Sequence, residues 1–280
     1  MSILLSPHTW IRSSSTRLYG VYFSDIDAET RMVKNTSIKC TYLTKETLKT
    51  LAIDFLEQLK SKYTTQEHAD QIVKNLFFIG KCFYYIPEEE DKEDTQEDVH
   101  IDDARDETIE EEKDDTAAQA AANMIKQDAH KKSLNWLFRK CSFDARGAAI
   151  KRIPNAIIMR SSIFKWFAAM CNTMTAEELP PYLMPVIAPI YRTVNDEHNK
   201  DPNFESLQQL GNEVLNLLQN KAGPTVYFAV YQRVRQQVLK TREQRKTKQA
   251  ILAVTNPALA AKRKLDKRQK AMQAKKKRKL

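Results

Sequence analysis

From Thr44 onward the apolar residues of this chain recur every three or four positions, and that spacing restricts it to helices. Leu48, Leu51, Ala52, Phe55, Leu56 and Leu59 make one stripe, and Ala69, Ile72, Val73, Leu76, Phe77 and Phe83 make a second. A helix of 3.6 residues per turn gathers such residues on one face, whereas a half-buried strand alternates at period two. Between the stripes, Thr64 with Glu67 has the capping-box spacing, in which each side chain satisfies an end amide of the helix that follows. Residues 44–86 are therefore predicted to form a helix, a short turn and a second helix.

The same pattern returns after a polar interval. Leu134, Leu137, Phe138 and Cys141 share one face; Ile157, Phe164, Phe167, Ala168 and Cys171 share another. Thr175 with Glu178 repeats the capping spacing, and Pro180 and Pro181 suit a helix entrance. Leu183, Val186, Ile187, Ile190, Tyr191 and Val194 follow, then Phe204, Leu207, Leu210, Val214, Leu215 and Leu218. Gly223 and Pro224 read as a stop and a restart, before Tyr227, Phe228, Tyr231, Val234 and Val238. Hairpin starts near Ser133, Glu178 and Thr225 lie roughly 45 residues apart, within the range of HEAT or armadillo repeats. The expected fold is all-α: a HEAT/armadillo-like solenoid fragment, with a closed bundle as the alternative. Only five glycines in 280 residues argue against a glycine-rich nucleotide-binding α/β fold. Residues 1–43 stay uncertain, since TRLYGVYFSD suits a strand or an irregular cover.

Charge divides the chain more sharply than hydropathy does. Residues 88–115 hold 17 acids and 3 bases, net −14, while residues 232–280 hold 18 bases and 2 acids, net +16. The acidic run has almost nothing to bury and repels itself, so 87–130 is expected to be a disordered insertion. It reads as a solvated linker, as an acidic decoy shielding a basic surface, or as a docking segment. The expected organisation is thus 1–43, a hairpin at 44–86, the insertion at 87–130, a helical-repeat body at 131–240 and a basic tail at 241–280.

No stretch reaches the roughly 18 apolar residues of a membrane span, and the start lacks the pattern of a secretory signal, with a weak transit-peptide reading left open. Cys40, Cys82, Cys141 and Cys171 are far apart, without zinc-ligand spacing, and read as buried or neutral thiols in a reducing compartment. His8, His68, His100, His130 and His198 are isolated. No P-loop, nucleophile elbow or H-E-x-x-H motif occurs, so the chain is expected to be no enzyme and to need no cofactor or metal.

The strongest chemical signal is the basic C-terminal region. Lys262, Arg263, Lys264, Lys267, Arg268, Lys270, Lys275, Lys276, Lys277, Arg278 and Lys279 are the candidate residues for RNA binding and nuclear import. Arg233, Arg235, Lys240, Arg242, Arg245, Lys246 and Lys248 make a second basic helix upstream. Good helix formers with hardly any apolar face self-repel in water, and phosphate relieves that repulsion while counterions leave. Asn256 before Pro257 should interrupt the helix between the two runs. A solvated tail, import alone and membrane-surface attachment are weaker readings than RNA binding with import, and no aromatic insertion face favours a membrane.

The stretch VTNPALAAKRKLDKRQKAMQAKKKRK resembles the C-terminal end of the small-subunit processome component 20 family. RSSIFKWFAAM with LPPYLMPVIAPIYRTVND, and VKNLFFIGKCFYY before the acidic run, are similar to family segments in the same order. The resemblance covers residues 44–280. It implies an α-solenoid nucleolar scaffold of the early small-subunit precursor, wrapping pre-ribosomal RNA and neighbouring factors and aiding early cleavages of 18S precursor RNA without catalysing them. Implied partners are pre-ribosomal RNA, processome proteins and an import receptor, with no membrane or small-molecule substrate. Family members are many times longer than this chain. A nuclear adaptor or chaperone that holds basic clients through the acidic run is the alternative function.

Overall fold

The computed structural model describes residues 3–86, 132–147, 155–196 and 202–277, so the acidic run 87–130 lies outside the described residues. After a short turn at Ile3–Leu5, nine α-helices follow among the described residues: α1 Thr9–Ser24, α2 Lys45–Lys60, α3 Gln66–Tyr85, α4 Lys132–Gly147, α5 Ala156–Thr173, α6 Pro180–Val194, α7 Pro202–Ala222, α8 Pro224–Thr255 and α9 Pro257–Lys277. Two-residue strands β1 Ile26–Asp27 and β2 Met32–Val33 pair antiparallel between α1 and α2. The chain divides into two compact units, Met1–Tyr231 and Gln232–Leu280.

In the first unit the helices stack in two rows. α1, α3, α5 and α7 pack in succession along one row, and α2, α4 and α6 along the other. Each hairpin, α2 with α3, α4 with α5 and α6 with α7, contributes one helix to each row. This is the all-α, solenoid-like arrangement anticipated from the 45-residue spacing, in which each helix pair buries its stripe against its neighbours. Phe138 of α4 lies at the middle of the core. Its ring stacks on Phe167 at 5.8 Å and meets Trp166 at 4.9 Å and Tyr182 at 4.8 Å, joining α4 to α5 and α6. α3 passes close to α5 at Gly80, where a Cβ would sit 2.7 Å from Met170 Sδ and 3.2 Å from Trp166 Cζ2, so any larger residue would require the Met170 side chain to move.

TRLYGVYFSD is helical, contrary to the strand or irregular cover expected of it, and forms the second half of α1. Its β-branched and aromatic residues are placed by burial, not by intrinsic preference. Thr16 and Phe23 are buried on one face, Phe23 stacks on Phe78 at 4.3 Å, and Tyr19 meets Phe55 edge-on. The capping box at Thr64 is shifted by one residue. Thr65 is the N-cap of α3, its hydroxyl accepting from the His68 amide, while Thr64 is buried and donates to the Gln58 carbonyl. Thr175 and Glu178 do meet, the Thr175 amide donating to Glu178 Oε2 at 2.9 Å, but they close a turn ahead of α6 instead of capping it. Glu178 also accepts from Tyr84 Oη, linking the end of α3 to that turn.

Candidate nucleic-acid interface

The basic residues occupy α8 and α9, and the local sequence accounts for both helices. Gly223 takes φ +79°, a left-handed conformation that lets the chain leave α7, and Pro224 opens α8 at the position where its missing amide costs nothing. Between Pro224 and Pro257 there is no further glycine or proline, and Gln, Arg, Lys, Leu and Ala sustain the helix for 32 residues. The body-to-tail boundary expected at 240/241 therefore lies inside one continuous helix, and the compact units divide at 231/232.

Asn256 is the single residue between the two helices. Its amide donates to the Leu252 carbonyl at 3.0 Å, and its own Oδ1 accepts from the Leu259 amide at 3.0 Å. One residue thus ends α8 and caps α9, and Pro257 supplies the preset first position. The expected break is present and is one residue wide.

Arg233, Arg235, Lys240, Arg242, Arg245, Lys246 and Lys248 are all exposed on α8. Val234, Val238 and Thr241 are buried, and every residue from Arg242 to Ala250 is exposed. Lys262, Arg263, Lys264 and Arg268 are exposed on α9. Lys267, Lys270, Lys275, Lys276 and Lys277 lie within the same helix, their side chains outside the described residues, as are Arg278 and Lys279.

Helix geometry converts this sequence into a charge density. At about 1.5 Å rise per residue, Lys262 to Lys277 spans roughly 22 Å. Nine bases and one acid in that span leave about one net positive charge per 3 Å. Duplex nucleic acid presents about one phosphate per 1.7 Å of axis, so the two lattices are of the same order. Like charges four apart, Arg242 with Lys246 and Lys264 with Arg268, each cost about 0.2–0.5 kcal/mol in the isolated helix. A polyanion removes that cost.

Among the described residues the four cysteines are buried. Burial pushes the thiols of Cys82 and Cys171 up to about 12 and raises Cys141 as well, so they remain protonated. His68 is half-buried with Nε2 3.1 Å from Thr16 Oγ1, and Thr16 donates to Gln58 at 3.0 Å. Burial first, then Arg12 and Arg17, hold its pKa below the usual imidazole value. Among the described residues no group of three or more His, Cys, Asp or Glu is placed to hold a metal, and no helix is long and apolar enough to cross a membrane.

Sequence reasoning located the cations and the break, but not the double use of Asn256. The signal was present: an Asn directly before a proline at a helix start is a standard N-cap.

Comparison with known proteins adds the family context. A family model described as small subunit processome component 20 homolog, C-terminal, matches residues 5–280. The chain is similar to U3 small nucleolar RNA-associated protein 20 of Schizosaccharomyces pombe, 24% identical over 261 residues, covering 93% of this chain and 9% of that protein. It is also similar to the Saccharomyces cerevisiae protein of the same name, 25% identical over 282 residues, covering 99% of this chain and 10% of the relative. The chain therefore spans about a tenth of the length of the curated relatives it matches.

Proposed function

Because the chain belongs to the small subunit processome component 20 homolog, C-terminal, family, we propose that it acts in small ribosomal subunit assembly as a non-enzymatic scaffold. Its relatives' names associate them with U3 small nucleolar RNA. On this reading the chain works in the nucleolus, on pre-ribosomal RNA and among processome proteins. The helical body, 44–86 and 131–240, docks protein neighbours. The cations of α8 and α9 neutralise RNA phosphate, with Lys262, Arg263, Lys264, Lys267, Arg268, Lys270 and Lys275 to Lys279 doubling as the import signal read by a nuclear import receptor.

The observation that carries the RNA assignment is the exposure of Arg242, Arg245, Lys246, Lys248, Lys262, Arg263, Lys264 and Arg268 along two consecutive helices, the two basic runs flanking an exposed apolar stretch that includes Ile251, Val254 and Leu259. Such a surface selects phosphate by charge and reads no base edges, so it favours polyanions over particular sequences. For about 6 to 10 phosphates engaged, affinity falls roughly 10³- to 10⁵-fold between 50 and 200 mM salt.

The test is RNA affinity measured across a salt series for the intact chain and for a variant with Lys275 to Lys279 replaced by alanine. Each lost phosphate contact should flatten the plot of log affinity against log salt by about 0.7 to 0.9. All RNA sequences should weaken alike. An unchanged slope removes these residues from the interface.

A further inference from the structure

The outward face of α4 alternates cations with aromatic rings. Lys132, Trp136, Arg139, Phe143 and Arg146 recur at i, i+4, i+7, i+11 and i+14, which places all five within an arc of about 80° of the helix. Lys132, Arg139 and Arg146 are exposed, Phe143 is 37% exposed, and Trp136 is half-buried and edge-on to Phe83. Leu134, Leu137, Phe138 and Cys141 take the opposite, buried side, so packing of the core leaves Arg139, Phe143 and Arg146 unused. The one acid of α4, Asp144, is buried and pairs with Lys60 of α2 at 3.0 Å. The outward face of α4 therefore offers cations and no carboxylate of its own. Beside it, the Lys140 ammonium lies 5.9 Å from the centroid of the Phe143 ring.

We infer that this face of α4 is a binding site for unpaired RNA, with bases stacked on Phe143 and Trp136 and phosphates held by Lys132, Arg139 and Arg146. Charge complementarity selects a polyanion, and the rings select one whose bases are free. At about 1.5 Å rise per residue the cations stand roughly 10 Å apart, with one ring in each gap. A duplex keeps its base faces stacked inside and meets only the cations, whereas a single strand can turn its bases onto the rings. The tail differs in this respect, because no aromatic residue follows Tyr231. The tail grips any polyanion by charge, and α4 adds a preference for single strands. This site rests on the reading that the chain binds RNA, but it lies in the helical body and uses none of the cations of α8 and α9.

The test irradiates the intact chain with an oligouridine carrying 4-thiouridine and sequences the peptides that become attached. The expected result is attachment within residues 136–146 as well as in the tail, with unlabelled duplex RNA competing away the tail adducts more readily than those on α4. The oligouridine concentration for half-maximal attachment to α4 should rise about 5- to 150-fold in Phe143→Ala, the loss of one stacked base. It should stay near the parent's value in Phe143→Trp, which keeps a ring. Arg139→Gln tests the same site at an exposed position, without the loss of a ring, and should flatten the salt dependence of attachment to α4 by about 0.7 in log–log slope. Attachment confined to residues 232–280 would overturn the α4 site while leaving RNA binding by the tail in place, and attachment nowhere would overturn both. Displacement from α4 by polyglutamate as readily as by unlabelled oligouridine would overturn it in favour of an acidic peptide.

Discussion

The two units share a secondary structure and differ in what holds it. In Met1–Tyr231 each helix is kept by the face it buries: Phe55, Phe83, Phe138, Phe164, Trp166 and Phe167 are all fully enclosed. In Gln232–Leu280 burial among the described residues stops at Thr241, and α8 continues to Thr255 with α9 after it. Those helices rest on intrinsic preference and capping, which are worth tenths of a kcal/mol per residue and about 1 kcal/mol per cap. Packing holds the helices of the first unit in fixed positions. A helix held only by propensity keeps its cations in water, where phosphate can reach them.

The contrast is broken most forcefully in the core. Phe138→Ala should cost about 3–5 kcal/mol, because the cavity left among Phe167, Trp166 and Tyr182 cannot close without moving three helices. Leu265→Ala on α9, where the leucine is 58% exposed, should fall within about 0.5 kcal/mol. Urea unfolding of both variants measures the difference; similar losses would mean that α9 is held by packing after all.

Asn256→Ala sharpens the comparison at the next level down. Loss of the bond to the Leu259 amide should weaken α9 by about 1 kcal/mol, and glycine at the same position by only a few tenths. Far-UV circular dichroism should show helix lost in the alanine variant while the cooperative unfolding midpoint of the body stays in place.

Acidification gives the smallest and most selective effect. The pKa of folded His68 lies below the ordinary 6.5, so the unfolded chain takes up a proton first as pH falls. The stability that neutral His68 contributes is complete above about pH 6.5 and is lost progressively as pH drops toward the lower folded value. His68→Gln should flatten the thermal-midpoint profile in that window. A profile unchanged by the substitution would assign the acid sensitivity elsewhere.

The legibility of the chain follows the same division. Helix stripes such as Leu48 to Leu59 and Leu183 to Val194 were readable because burial on one side imposes a period that the sequence must carry. α1 was not readable, because apolar residues on both sides erase the period: Trp10, Leu18 and Val21 face out while Tyr19 and Phe23 face in. The cap at α3 slipped by one residue because Thr64 and Thr65 are chemically equivalent. Only the path of the preceding turn, with Asn155 Nδ2 donating to the Ser61 and Thr64 carbonyls, decides which threonine turns outward.

By itself the sequence determined the all-α class, the segregation of charge, the break at Asn256–Pro257 and the resemblance that the family match bears out. These are local or cumulative properties, fixed by spacing and composition before any two distant residues meet. The tertiary structure decided the rest: the two rows, the helical state of α1 and the face it leaves in water. Each depends on which helix lies beside which, and pairing between helices is set by the fit of side chains many residues apart, to which no single stretch of the chain has access.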